Sequence, residues 1–167
     1  MMKRAAANNP AALSGMGRLY YEDGDYESTF KYLTKAAALG DVDAHFNLSL
    51  LYLWGQGVGE DEEKRAYHLE QAAIGGHPKS RCHLGYVEEG DGRNDRAVKH
   101  FIIAANLGYD GAIQALKKCY AGGVVSKEDF AVALRAHQAA VDATKSPHRE
   151  AAAKVMAAFY KKSSERD

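Results

Sequence analysis

Cysteine is scarce in this chain of 167 residues, which has only Cys82 and Cys119. Two isolated thiols argue against a disulfide-stapled secreted scaffold, and neither belongs to a Cys-x-x-Cys pair of the kind that binds zinc. Net charge is missing as well, since 22 basic side chains balance 22 acidic ones. Nucleic-acid binders concentrate an excess of Lys and Arg, so no nucleic-acid partner is expected. β-Branched residues are few: Val, Ile and Thr together number 16 against 29 alanines. That ratio argues strongly against an all-β or doubly wound α/β fold. No window reaches the roughly 20 apolar residues that a membrane helix needs, so no membrane insertion is expected. The basic start, Met1-Met2-Lys3-Arg4, is not followed by the apolar stretch of a signal sequence. The expectation is an intracellular, cytoplasmic protein.

What the chain has in quantity is repetition. Three segments align on a glycine that follows a helix: Lys35-Ala36-Ala37-Ala38-Leu39-Gly40, Gln71-Ala72-Ala73-Ile74-Gly75-Gly76 and Ile103-Ala104-Ala105-Asn106-Leu107-Gly108. Four residues beyond each glycine stands a small residue (Ala44, Ser80, Ala112), and four further on a leucine (Leu48, Leu84, Leu116). Ala12 and Met16 supply an N-terminal copy. Tyr20, Tyr52 and Tyr120 follow after another four residues, with Glu88 in the third copy. Apolar residues at i, i+4 and i+8 mark one buried helical stripe, and the glycine supplies the left-handed turn that ends a helix. Asp41, Asp61 and Ser126 have the chemistry of N-caps, while Asn9-Pro10 and His77-Pro78 place proline at the first helical position. This punctuation predicts helices over 10–22, 26–39, 42–54, 62–74, 78–89, 93–107, 110–121, 127–144 and 147–162.

These positions resemble the Sel-1-like repeat, a short helical hairpin related to the tetratricopeptide repeat. Its fullest copy here runs through Ala44, Leu48, Tyr52, Gly55, Gly57, Val58 and Asp61 and closes with Ala72, Ala73 and Gly76. Ser49 stands where the pattern has glycine, and Gln71 where it has lysine. The first and third copies lack the Gly-x-Gly-Val loop but keep Gly17 and Gly85, and the fourth is the most divergent, with Lys117 at that site. The resemblance implies an all-α fold, a right-handed α-solenoid of about four antiparallel hairpins with a C-terminal capping helix. The units expected are a lead-in over 1–9, repeats at about 10–40, 41–76, 77–108 and 109–145, a cap over 146–162 and a tail over 163–167.

Catalytic chemistry finds little support. Ser28-Thr29-Phe30-Lys31 satisfies Ser-x-x-Lys, but the companion motifs of penicillin-recognising enzymes are absent. The seven histidines form no zinc-binding spacing, and His68 stands where the family usually has an aromatic residue. Gly55-Gln56-Gly57-Val58-Gly59 follows a helix rather than a strand and has no Lys-Ser/Thr after it, so a structural inter-helix loop is expected rather than a phosphate cradle. No catalytic residue, cofactor or metal is assigned.

What the resemblance does imply is a protein or peptide partner on the concave face. Carried over onto this sequence, the inward register gives Arg18, Tyr21, Phe46, Leu50, Leu53, Trp54, Tyr86, Gln114 and Lys118, with Ser14, Glu22, Cys82 and Glu89 on the same strips. Aromatic anchors with a charged rim are the usual composition of an interaction hot spot. Phe46 and Leu50 could instead pack between hairpins, and Trp54 could cover the loop at Gly55. The reading is a non-catalytic adaptor. The alternatives are a regulatory subunit or enzyme with its site in the groove, and a self-associating, homo-oligomeric module.

Overall fold

A computed structural model describes residues 9–144, and the expected cap over 146–162 lies outside the described residues. Within them the chain forms eight helices and no strand: α1 (Pro10–Glu22), α2 (Tyr26–Ala38), α3 (Val42–Trp54), α4 (Glu62–Ile74), α5 (Pro78–Gly90), α6 (Asn94–Asn106), α7 (Asp110–Ala121) and α8 (Lys127–Thr144). Consecutive helices pair as antiparallel hairpins, and each hairpin stacks on the next to give an all-α solenoid.

Local chemistry accounts for the boundaries. Asn9, Asp25, Asp41 and Asp61 each accept the backbone N–H of the residue three positions on, at 2.7–3.2 Å. Ser126 does the same for Asp129, and His77 caps α5 through Nδ1, which accepts from the Ser80 N–H at 3.1 Å. Each cap satisfies an N–H that the first turn leaves without a partner. The stops are equally uniform. Asp41 N–H donates to the Ala36 carbonyl at 3.0 Å and Gly40 N–H to Ala37 at 2.9 Å, with Gly40 at φ +86°. The same pair of hydrogen bonds recurs at Gly24, Gly76, Gly92, Gly108 and Gly123. It is the Schellman closure, in which a left-handed glycine lets the chain turn back and satisfies the last carbonyls.

Packing is distributed along the array. One cluster joins Leu33, Ala36 and Ala37 of the first hairpin to Ala44, Leu48 and Leu51 of the second. Another gathers Phe46, Leu69 and Ala72 of the second hairpin, with Leu84 of the third packed against them, and a third holds Phe101, Ala104 and Ala105 against Ala112, Leu116 and Cys119. Each hairpin thus buries its apolar surface against its neighbours, as expected of a quasi-one-dimensional fold. The alanine pairs sit at these seams, where the absence of larger side chains lets helices approach.

Within hairpins, close approach relies on Gly17 and Gly85, where a Cβ would strike the side chains of Leu33 and Phe101. In the second hairpin Ser49 takes this place, buried, its hydroxyl donating to the Phe46 carbonyl at 2.6 Å. In the last pair the residue is Lys117, and the hairpin is not tightly closed: α8 divides its packing between α6 and α7. Leu134, in register with Leu69 and Phe101, is consequently left exposed.

Ring stacking ties the two helices of a hairpin together further along. Tyr20 stacks on Tyr32 at 5.2 Å, and Tyr52 on His68 at 5.7 Å. His68 therefore serves as the aromatic residue of its repeat. In the third hairpin, where Glu88 replaces the tyrosine, ion pairing takes over. Glu88 is buried and binds Arg93 and Arg96, the latter at 3.1 Å.

Candidate functional site

An apolar hollow opens between α1 and α3, with α2 as its floor. It has a volume of about 270 Å³. Gly17, Arg18 and Tyr21 come from α1, Thr29 and Leu33 from α2, and Asn47, Leu50, Leu51 and Trp54 from α3. The cleft lies between two first helices that both pack chiefly on α2. Trp54 stands at the C-terminal end of α3 with 53% of its surface exposed. Tyr21 is held edge-on against Tyr26 at 5.4 Å. Arg18 reaches towards Glu22 at 3.8 Å, an exposed pair that does little to restrain it.

Arg18 and Asn47 also belong to an adjoining polar stretch that runs along Ala11, Ser14, Gly15, Asp41 and Asp43. The two regions together make a track that is apolar near Trp54 and acidic near Asp43. At that acidic end Asp43 lies 3.6 Å from Nε2 of His77.

Four of the nine residues expected in the groove therefore meet: Arg18, Tyr21, Leu50 and Trp54. Phe46 does not, and its assignment is corrected. It is buried, stacks on His77 at 4.4 Å and receives His83 edge-on at 5.6 Å. The Schellman turn at Gly76 starts α5 directly over this ring and seals it into the seam between the second and third hairpins. Leu53, Tyr86, Gln114 and Lys118 are exposed but do not line the cleft. Tyr86 packs edge-on against Phe101 at 5.1 Å. Cys82, on the same strip, is buried, and burial pushes its thiol up to about 11. Asn47 was not among the expected residues, although Asn47, Leu50 and Trp54 follow one another at i, i+3 and i+7 on a single helical face.

The other motifs hold the fold together. Gly57, at φ +69°, lets the Gly-x-Gly-Val loop fold onto the start of α2, where a Cβ would run into the Tyr26 carbonyl, and Val58 packs into the core beside it. Ser28 lies in the first turn of α2 with its N–H engaged by Asp25. Among the described residues no three His, Cys, Asp or Glu side chains converge to hold a metal ion, and no helix is long and apolar enough to cross a membrane.

The Sel1 repeat profile matches residues 10–41, 42–77 and 78–109. Two solved structures are similar over most of the chain. A Sel1 repeat protein from Oxalobacter formigenes aligns with a TM-score of 0.68 at 27% identity, over 83% of this chain and 60% of that one. A protective antigen of uropathogenic Escherichia coli strains with an SLR fold aligns with a TM-score of 0.67 at 25% identity, over 86% of this chain. The present chain spans 32% of that antigen's length. Three matched repeats in register with the first three hairpins place the chain in the Sel1 repeat family.

Proposed function

We propose that this chain is a non-catalytic scaffold that binds a peptide or a segment of a partner protein in the cleft between α1 and α3. The observation that carries this reading is an apolar cleft with a half-exposed indole at its rim. Exposed aromatic surface beside a preformed apolar hollow is characteristic of interaction sites, because covering both removes apolar area from water at little cost in ordering. Leu50, Tyr21 and Trp54 offer the surface that a bulky apolar side chain would cover, over a floor formed by the buried Leu33 and Leu51. Arg18 and Asn47 offer polar groups to the backbone of an extended segment continuing towards Asp43. A chain of zero net charge has no bulk field to steer a partner, so recognition rests on this shape and these side chains.

Trp54 is the sole tryptophan, which makes its emission a direct reporter of the cleft. Peptides selected from a random display library against the full chain should shift that emission saturably and share a bulky apolar residue. Leu50→Ala and Arg18→Ala should weaken the same peptides without loss of helicity. Selected peptides that bind with Trp54 emission unchanged and ignore both substitutions would refute the assignment.

A further inference from the structure

A second surface, distinct from the cleft, is defined by the repeat itself. Ala44, Leu48 and Leu51 of α3 lie against Ala36 and Ala37 of α2, with Leu48 0% and Leu51 2% exposed. The corresponding residues of α7, Ala112, Leu116 and Cys119, are buried in the same way against Ala104 and Ala105. In α5 the strip reads Ser80, Leu84 and Val87, of which Ser80 is buried, Leu84 partly buried and Val87 exposed. In α1 the same register falls on Ala12, Met16 and Leu19. No described helix precedes α1, and Met16 is 38% and Leu19 52% exposed. A terminal repeat that ends a solenoid carries a polar outer face. This one keeps the apolar strip of an internal repeat.

We infer that the outer face of α1 is a docking surface for an amphipathic, alanine-rich helix of the type that closes each hairpin, carrying Leu or Phe followed three and four residues later by Ala-Ala. The chemistry of the occupant follows from the interior seams. Leu33-x-x-Ala36-Ala37 and Phe101-x-x-Ala104-Ala105 are the sequences that cover this strip where it is covered. A small-residue pair at the centre of the incoming helix lets it sit close enough to seal Met16 and Leu19 from water. The register permits such a helix to enter as part of a hairpin, since Asp41 ahead of Val42 adopts the same extended N-cap geometry as Asn9 ahead of Pro10.

Met16 is a chemical reporter of this face, because peroxide oxidises an accessible thioether faster than a covered one. The test inserts a second copy of residues 10–41 directly before Pro10, with Met16→Leu in the inserted copy so that one reporter remains at this position. Oxidation of the original Met16, read by peptide mass spectrometry, should slow by about tenfold or more relative to the unmodified chain. Leu19→Glu on the original α1 should restore the fast rate. Equal rates with and without the insertion, or an inserted hairpin that melts separately, would overturn the inference. Two results with the unmodified chain would also overturn it by naming another occupant. Met16 already slow, and released by removing Met1–Asn8, would identify the chain's own leader. Met16 slow only at high protein concentration would identify a second copy. Since Trp54 emission does not report on this face, failure here leaves the cleft assignment standing.

Discussion

The Nδ1 atoms of His45 and His68 lie 2.9 Å apart, one imidazole donating to the other across the second hairpin. Only one of the two nitrogens can carry the shared proton, so the contact requires that the rings not both be charged. Burial, reinforced by His45 beside it, pushes His68 down to about 4, and burial likewise lowers His45.

The pair makes stability depend on pH in a defined window. A histidine depressed in the folded state binds its proton more readily when unfolded, so stability is full above the ordinary value near 6.5 and falls as pH drops towards 4. After allowance for solvent screening of these half-buried rings, the loss should be about 1–2 kcal/mol. Urea midpoints at pH 7.5 and pH 4.5 measure it. His68→Tyr, which restores the residue type that Tyr32 supplies in the first hairpin, should flatten the difference; an unchanged pH dependence would show that other groups control it.

Phe46 and Trp54 should respond in opposite ways to truncation. Phe46→Ala removes a buried ring from the seam between two hairpins and should cost about 3–5 kcal/mol in denaturant unfolding. Trp54→Ala removes an exposed ring, should leave thermal unfolding nearly unchanged, and should weaken a cleft-binding peptide by about 1 kcal/mol or more. A strongly destabilised Trp54→Ala would place that residue in the core instead.

Gly57 and Gly24 separate conformational strain from steric clash. Both have positive φ, but a Cβ at Gly24 meets open space, whereas one at Gly57 meets the backbone of Tyr26 and Glu27. Gly24→Ala should cost about 1 kcal/mol. Gly57→Ala should cost clearly more and should expose the start of α2 to hydrogen exchange. Equal losses would mean that the loop relaxes without cost.

The two thiols should be inert in the native protein. Cys82 and Cys119 are buried, and burial pushes both above the usual thiol range. Thiolate chemistry needs access and a low pKa, so a disulfide reagent at pH 8 should react with Cys82 only as fast as the array opens. Its rate should rise with added urea along the unfolding curve; fast, urea-independent labelling would show that Cys82 is not packed in the core.

Much of the fold is legible in the sequence because its determinants are local. Asp41, Asp61 and Asn9 announce helix starts, and Gly40, Gly76 and Gly108 announce stops, through hydrogen bonds that span only a few residues. The observed helices accordingly begin and end within one or two residues of those expected. The site is less legible. Leu50 and Phe46 share one face of α3 at i, i+4 spacing, yet Leu50 lines the cleft while Phe46 is sealed beneath His77.

The repeat period, the helix ends and the small residues at the seams were determined by the sequence itself, since each depends on φ, on a cap or on side-chain size within one hairpin. Tertiary structure alone decided which stripe of each first helix meets the next hairpin, how the two histidines meet, and that α1 and α3 leave a cleft between them. Those outcomes depend on the rotation from one hairpin to the next, which accumulates from many contacts across the seams and is written in no single motif.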